Sequence, residues 1–137
     1  MTSTQEETAS NADKAAVADL TRRMVAAWSA HDADAFADLF VEDATMILPG
    51  VYRNGRDDIR EFMAAGFQGE YEGSQVTGVP LRLRFLSAEV AALLTEGGVL
   101  APGETEVTAE RAIRATWLAV KREGEWRLAG YQNSPRD

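Results

Sequence analysis

The hydrophobic pattern of this chain is mainly helical in its first half and alternates as in strands in its second half, and this change limits the folds open to the chain. From about Asp13 to Ala30, apolar residues such as Val17, Leu20 and Met24 recur at helical spacing. From residue 79 to 87, apolar and polar side chains alternate, as in a β-strand. Helices followed by strands predict an α+β fold, with helices on one face of a curved, mostly antiparallel sheet.

Two further helices are predicted before residue 70, with a short strand between them. Asp32 or Asp34 is a candidate cap for a short helix, and its buried stripe comprises Phe36, Leu39 and Phe40. Asp57 and Asp58 lie where the first turn of a third helix is expected, with Ile59, Phe62, Met63 and Phe67 on its apolar side. The Asn54-Gly55 pair predicts a turn. Strands are expected over residues 44–48, 79–87, 89–95, 111–121 and 126–133. We expect a flexible tail over residues 1–10 and a single domain over residues 11–135.

Charge and composition narrow the functions that this chain can serve. With 22 acidic and 14 basic residues among 137, the net charge is −8, which disfavours nucleic acid and anionic membranes as partners. No apolar run approaches the roughly 20 residues of a membrane span, and the polar start is unlike a signal peptide, so we expect a cytoplasmic protein. The sequence has no cysteine and one histidine, His31, and it carries no cofactor or metal-binding motif. We therefore expect neither a cofactor nor a metal.

The last hairpin predicts which side chains face the interior. A three-residue loop, Arg122-Glu123-Gly124, pairs Val120 with Trp126 and Leu118 with Leu128. This register makes one face wholly apolar, with Leu118, Val120, Trp126 and Leu128. It places Ile113, Ala115, Trp117, Ala129, Tyr131 and Asn133 on the other face. A sheet with two apolar faces needs two covers, so we predict a homodimer through the first face and a pocket on the second.

Several segments in this order resemble the nuclear-transport-factor-2-like superfamily. They are WSAHDADAF (residues 28–36), LFVEDAT (39–45), GRDDI (55–59), GEWRL (124–128) and YQNS (131–134). Within that superfamily they resemble most the SgcJ/EcaC group, which is found beside enediyne antibiotic biosynthesis genes. The resemblance implies a cone-shaped fold, in which a strongly bent sheet wraps around the first helix and leaves an internal cavity. It also implies a dimer.

The superfamily includes SnoaL-type polyketide cyclases and ketosteroid isomerases, but the isomerase mechanism does not carry over to this chain. The resemblance puts the isomerase's oxyanion tyrosine at Met24 and its general base at Leu48. Its second oxyanion acid falls at Thr116 or Trp117. None of these side chains abstracts a proton or replaces a catalytic acid. The resemblance therefore implies an internal cavity but not the catalytic mechanism of the isomerases.

The candidate ligand contacts are mostly aromatic or sulfur-containing. They are Met24, Trp28, Met46, Leu48, Phe62, Phe67, Trp117, Tyr131 and Asn133. Such a lining suits a flat or polyene-like apolar ligand, which Tyr131 and Asn133 would orient by hydrogen bonds. Candidate catalytic groups are Tyr131, Asn133, Asp43 and His31. Structural roles remain open for all of them, including hydrogen bonding of His31 at the end of the first helix and capping by Asp43.

Two functions remain open at this point, with a protein-interaction module as a third. The first is an accessory protein that binds an apolar polyketide or enediyne-type intermediate of natural-product biosynthesis. The second is a cyclase, isomerase or hydratase-like enzyme that acts on the same intermediate with a different catalytic set. An ionisable side chain that points into the cavity would favour the enzyme.

Overall fold

The computed structural model describes residues 10–137, which form three helices and six strands. The helices are α1 (Asn11–Ser29), α2 (Ala33–Ala37) and α3 (Arg56–Phe67). The strands are β1 (Phe40–Leu48), β2 (Val51–Asn54), β3 (Gln75–Ser87), β4 (Val90–Leu100), β5 (Ile113–Arg122) and β6 (Glu125–Pro135). The α+β class predicted from the hydrophobic period is confirmed. Among the described residues, no helix has the length and apolar character needed to cross a bilayer.

The first helix begins at Asn11, directly after its capping residue Ser10. The Ser10 hydroxyl accepts a hydrogen bond from the Asp13 amide at 3.0 Å, which satisfies a free N–H of the first turn. The apolar stripe of the helix, which includes Leu20 and Met24, is buried against the sheet. The rest of the predicted tail, residues 1–9, lies outside the described residues.

The six strands form one open sheet in the order β2-β1-β6-β5-β4-β3. Every neighbouring pair is antiparallel except β1 and β6, the first and last strands, which run parallel to each other. Helix α1 packs against β3 and β6, and α3 packs against β1. The helices thus cover one face of the sheet, and the opposite face is left to the surface.

The predicted hairpin register is wrong by one residue. The turn has two residues, Glu123 and Gly124, and both have positive φ angles, of 53° and 80°. Such turns match the right-handed twist of the strands better than the predicted three-residue loop. As a result Trp126 pairs with Lys121 rather than with Val120.

A bulge in β6 explains why the predicted faces are also wrong. Ala119 pairs with Leu128 and Leu118 pairs with Gly130, so Ala129 is an extra residue in β6. An extra residue shifts the alternation of side chains by one position. Trp126 and Leu128 before the bulge therefore share the inner face with Tyr131 and Asn133 after it.

This arrangement corrects the predicted dimer surface. Trp126 and Leu128 are buried in the core, so they are not available to a second subunit. Leu118 and Val120 lie on the outer face, where Leu118 is 37% exposed. The outer face therefore keeps Leu118 and Val120 of the predicted set and loses Trp126 and Leu128.

Two smaller predictions about the first third of the chain also need correction. Phe40 begins strand β1 rather than belonging to the buried stripe of the second helix, although its side chain is buried as expected. Asn54 and Gly55, which were predicted as a turn, connect β2 to α3: Asn54 ends β2, and Gly55, with φ of 101°, is the N-cap of α3. The turn between β1 and β2 is made instead by residues 49–50.

Candidate ligand-binding site

A partly enclosed cavity lies between the helices and the inner face of the sheet, with a volume of about 110 Å³. All three helices and every strand except β2 contribute to its walls. The lining residues are Met24, Trp28, Phe36, Phe40, Met46, Leu48, Met63, Tyr71, Val76, Thr77, Thr95, Gly98, Val99, Arg111, Ile113, Trp117, Tyr131 and Asn133.

Three methionines supply much of the apolar wall. Met24 comes from α1, Met46 from β1 and Met63 from α3, so the three thioethers approach the cavity from different elements. In α1 the spacing of four residues puts Met24 and Trp28 on the same face. Methionine side chains are flexible and polarizable, so this wall can adjust to ligands of different shape.

The floor of the cavity is built on a pair of aromatic rings from β5 and β6. Trp117 and Tyr131 are paired across the two strands, and their rings meet edge to face with centroids 4.9 Å apart. The Trp117 indole N–H donates to the Thr95 hydroxyl at 2.9 Å, inside the core. This bond satisfies the only polar group of Trp117 and fixes the plane of its ring.

Tyr131 and Asn133 form a polar corner in this apolar lining. The Asn133 amide nitrogen donates to the Tyr131 hydroxyl at 3.1 Å. The Asn133 amide oxygen is buried and has no hydrogen-bond partner. Burial raises the pKa of Tyr131 above its ordinary value, and the hydrogen bond from Asn133 opposes the shift only in part. The phenol therefore stays protonated at neutral pH and keeps a hydrogen to donate.

Serine and histidine side chains close the wall behind Trp28. The Trp28 indole N–H donates to the Ser74 hydroxyl at 3.0 Å, and that hydroxyl donates to the Tyr71 carbonyl at 2.7 Å. His31 lies beside this group, with its Nε2 3.1 Å from the Ser74 carbonyl oxygen. The centroid of its ring lies 5.2 Å from that of Phe67, with the two rings tilted at 56° to each other. His31 does not line the cavity. These contacts give His31 a structural role in holding the start of β3 to the end of α1.

The chain between β4 and β5 covers one side of the cavity through Arg111. The Arg111 Nε donates to the Val99 carbonyl at 3.3 Å, and the guanidinium also pairs with the Glu104 carboxylate. The Ala101 amide and then Arg111 hold the pKa of Glu104 below its ordinary value. The positive charge at the edge of the cavity is thus matched by a carboxylate of the same segment.

The structure separates the predicted ligand contacts into two groups. Met24, Trp28, Met46, Leu48, Trp117, Tyr131 and Asn133 line the cavity. Phe62 and Phe67 do not. Phe67 packs behind Trp28 at 5.4 Å between ring centroids, and the Phe62 ring lies 4.8 Å from the Arg53 guanidinium carbon.

Asp43, the best acid–base candidate in the sequence, lies away from the cavity. Its carboxylate is exposed and accepts a hydrogen bond from Arg122 at 3.1 Å. That bond lowers the pKa of Asp43, which makes the group a weaker base than usual. Neither Asp43 nor His31 is brought together with the polar corner at Tyr131 and Asn133.

Sequence reasoning missed several lining residues, of which Tyr71, Thr77, Thr95 and Arg111 carry polar groups. Thr95 could have been identified from the sequence, because it ends the apolar run of the strand predicted over residues 89–95, and continuous apolar runs are typical of buried strands. Tyr71 and Arg111 lie between regular elements, where no periodic pattern predicts the direction of a side chain. Within residues 10–137, no group of three metal-ligating side chains converges.

Comparison with known proteins agrees with this architecture. The sequence profile of a SnoaL-like domain family matches residues 9–132. No curated protein sequence gives a significant match. A solved domain of unknown function with a cystatin-like fold, from Nostoc punctiforme, is 28% identical with a TM-score of 0.87, and the alignment covers 93% of this chain and 80% of that one.

Two more distant structures share the fold at lower identity. A nuclear-transport-factor-2-like protein of unknown function from Shewanella oneidensis is 21% identical with a TM-score of 0.71, over 88% of this chain and 98% of that one. The hexachlorocyclohexane dehydrochlorinase LinA-type3 from Novosphingobium barchaimii is 17% identical with a TM-score of 0.76, over 92% and 88% of the two chains. At these identities the likeness concerns the fold alone.

Proposed function

This chain belongs to the SnoaL-like domain family, and from that premise we propose that its interior cavity binds a small apolar molecule. Proteins of this family bind small ligands or act as enzymes. The observation that carries the proposal is the cavity itself, which is walled by methionine and aromatic side chains and has a single polar corner. Apolar pockets with a few convergent polar groups are the usual form of small-molecule sites.

The size of the cavity limits the part of the ligand that enters. An apolar cavity of about 150 Å³ holds one benzene ring. At about 110 Å³, this cavity admits one ring or the end of a slim chain, with the methionines adjusting to its shape. A larger molecule enters with one end only and leaves the rest at the open side.

The ionisable side chains of the lining favour binding over acid–base chemistry. Among the described residues around the cavity they are Tyr71, Tyr131 and Arg111. Burial raises the pKa of both tyrosines, and Arg111 is cationic and paired with Glu104. Abstraction of a proton from carbon needs a base with a pKa nearer neutrality. The alternative of a cyclase, isomerase or hydratase thus has a hydrogen-bond donor in Tyr131 but no base beside it.

The natural ligand that we propose is an intermediate of the polyketide or enediyne type. The support for this assignment is the sequence resemblance to the SgcJ/EcaC group together with the narrow apolar cavity. A polyene chain is slim and apolar, so its end matches the space between Met24, Met46 and Trp117. In this role the protein holds the reactive chain away from water while other enzymes act on it.

A bulky substitution inside the cavity tests the proposal. Leu48 lines the cavity and its neighbour Ile47 points to the outer face, so Leu48→Trp fills the cavity and Ile47→Trp adds the same bulk outside it. We expect the wild type and Ile47→Trp to bind toluene with similar affinity, because only the interior change removes space. Leu48→Trp should weaken binding at least tenfold. Isothermal titration calorimetry measures the three affinities.

The opposite results would reject a binding function. If toluene and longer polyenes fail to bind the wild type up to their solubility limits, the cavity takes up no ligand. If Leu48→Trp binds as well as Ile47→Trp, any binding occurs elsewhere on the surface.

We also propose that a second copy of the chain covers the outer face of the sheet. Ile47, Leu81 and Leu118 are 43%, 55% and 37% exposed there, and exposed apolar groups on one sheet face are typical of a subunit interface. Of the residues predicted for this interface, Leu118 remains exposed, whereas Trp126 and Leu128 are buried. Sedimentation equilibrium should give twice the chain mass of 14.9 kDa, and a mass of one chain would reject the dimer.

A further inference from the structure

We propose that the ligand carries, at its buried end, a neutral group that both donates and accepts a hydrogen bond, such as a hydroxyl or an amide. This inference rests on the proposed binding function and names the class of molecule that the cavity selects. The recognition element is the pair Tyr131 and Asn133, which the bulge at Ala129 turns towards the interior.

Some of the hydrogen-bonding groups of this pair have no partner within the protein. Asn133 donates from its amide nitrogen to the Tyr131 hydroxyl at 3.1 Å, which leaves the tyrosine's own hydrogen free. The Asn133 amide oxygen is buried without a partner. Leaving a buried polar atom unpaired is costly, and proteins seldom retain one without a role. The corner therefore offers one donor and one acceptor to whatever occupies the cavity.

The same requirement holds if the side-chain amide of Asn133 is flipped, so that its oxygen and nitrogen exchange positions. The Tyr131 hydroxyl then donates to the amide oxygen, and the amide nitrogen becomes the unpaired atom, with hydrogens to donate. The tyrosine oxygen is then free to accept a hydrogen bond. In both orientations the two side chains together present one donor and one acceptor, so the complementary group is the same.

The charges around the cavity exclude an ionised group at this end of the ligand. No lysine or arginine lies at the corner among the described lining residues, and Arg111, on the β4–β5 side, is already paired with Glu104. The other polar side chain of the floor, Thr95, accepts the hydrogen bond of Trp117. A carboxylate placed beside Tyr131 would lose its hydration without gaining a cation, which is strongly unfavourable.

Two probes of similar size isolate this contact. Benzyl alcohol has a hydroxyl that donates and accepts, and toluene has neither function, so the ratio of their dissociation constants reports the polar corner. The test variant is Asn133→Leu, which has a similar volume. Its matched control is Gln132→Leu, because Gln132 lies next in the same strand and points to the outer face. Tyr131→Phe is the second test variant, and its control is Tyr52→Phe, at a tyrosine that is 62% exposed.

We expect both test variants to reduce the preference for benzyl alcohol relative to toluene by about fivefold, because each removes one hydrogen bond. Both controls should keep the wild-type ratio. An unchanged ratio in Asn133→Leu and Tyr131→Phe overturns the inference, and so does an equal change in the controls. If toluene binds the wild type and only the ratio fails to respond, the proposed function stands without this inference. If neither probe binds, both are rejected.

Discussion

At the scale of single residues, the cavity depends on how each polar group in an apolar wall is paired. The indole N–H of Trp117 is satisfied by Thr95 at 2.9 Å, so the aromatic floor is fixed before any ligand arrives. The amide oxygen of Asn133 is left without a partner. The Trp117 N–H, which is paired within the protein, thus has a structural role, whereas the Asn133 amide oxygen remains available to a ligand.

The Thr95–Trp117 bond gives a prediction for stability. Thr95→Val keeps the shape of the side chain but leaves the indole N–H buried and unpaired, which should lower the free energy of unfolding by about 1–3 kcal/mol. Thr95→Ser keeps the hydroxyl and is the control, with a smaller loss from the missing methyl group. Urea denaturation measures both, and equal losses in the two variants would contradict the role of the bond.

The sequence predicted several of the lining residues that lie on regular elements. Met24 and Trp28 followed from helical spacing, and Trp117 and Tyr131 were grouped on one face of the last hairpin. It could not place Arg111, because the segment between β4 and β5 has no period that fixes the direction of its side chains. Phe62 was assigned to the cavity because it lies on the apolar side of α3, but its ring contacts the Arg53 guanidinium of β2 and does not line the cavity.

At the scale of elements, the β5–β6 hairpin decides which side chains enter the cavity. Two local features act together: the two-residue turn at Glu123-Gly124 and the extra residue Ala129. The turn sets which residues of β5 and β6 are paired, and without the bulge Trp126 and Tyr131 would lie on opposite faces. A hydrophobic pattern records the alternation within each stretch but not the point where a bulge interrupts it. The predicted register was wrong because the turn has two residues, and Trp126 and Leu128 were wrongly placed on the dimer surface because of the bulge.

The turn makes a prediction of its own. Glu123 has a φ of 53°, in the left-handed region, where asparagine is better tolerated than glutamate. Glu123→Asn should therefore raise the free energy of unfolding by about 0.5 kcal/mol. The control is Glu125→Asn, just after the turn, which should not stabilise the protein. Chemical denaturation compares them, and a destabilising Glu123→Asn would contradict the two-residue turn.

At the scale of the whole molecule, helix α1 joins the far end of the hairpin to the cavity. Near its start, the Asp13 carboxylate accepts hydrogen bonds from the Trp126 indole at 2.9 Å and from Lys121 at 3.0 Å. Near its end, Met24 and Trp28 line the cavity. The helix is thus held at both ends against the sheet, and the space beneath its second half is not filled by the packing.

The Asp13 anchor predicts a dependence of stability on acid. The Trp126 indole, followed by Lys121, lowers the pKa of Asp13 from 3.8 to about 2. A lowered pKa stabilises the fold fully above about pH 4, and this contribution is lost as the pH falls towards 2. Asp13→Asn should therefore lower the melting temperature at pH 7, and the gap from the wild type should close between pH 4 and pH 2.

A matched control separates this anchor from general acid effects. Glu61→Gln removes an exposed carboxylate on α3 and should leave the melting temperature near that of the wild type at pH 7. If the gap between Asp13→Asn and the wild type stays constant down to pH 2, the anchor does not act through the charge of Asp13.

The central claim, that the interior takes up a small apolar molecule, is tested most directly by the methionine methyl groups. Met24, Met46 and Met63 line the cavity, and the fourth methionine, Met1, lies outside the described residues. In protein with ¹³C-labelled methionine methyls, titration with toluene should shift three of the four resonances together, through the ring current of the bound molecule. If these three resonances stay unchanged at saturating toluene, the cavity is not a binding site and the account is wrong.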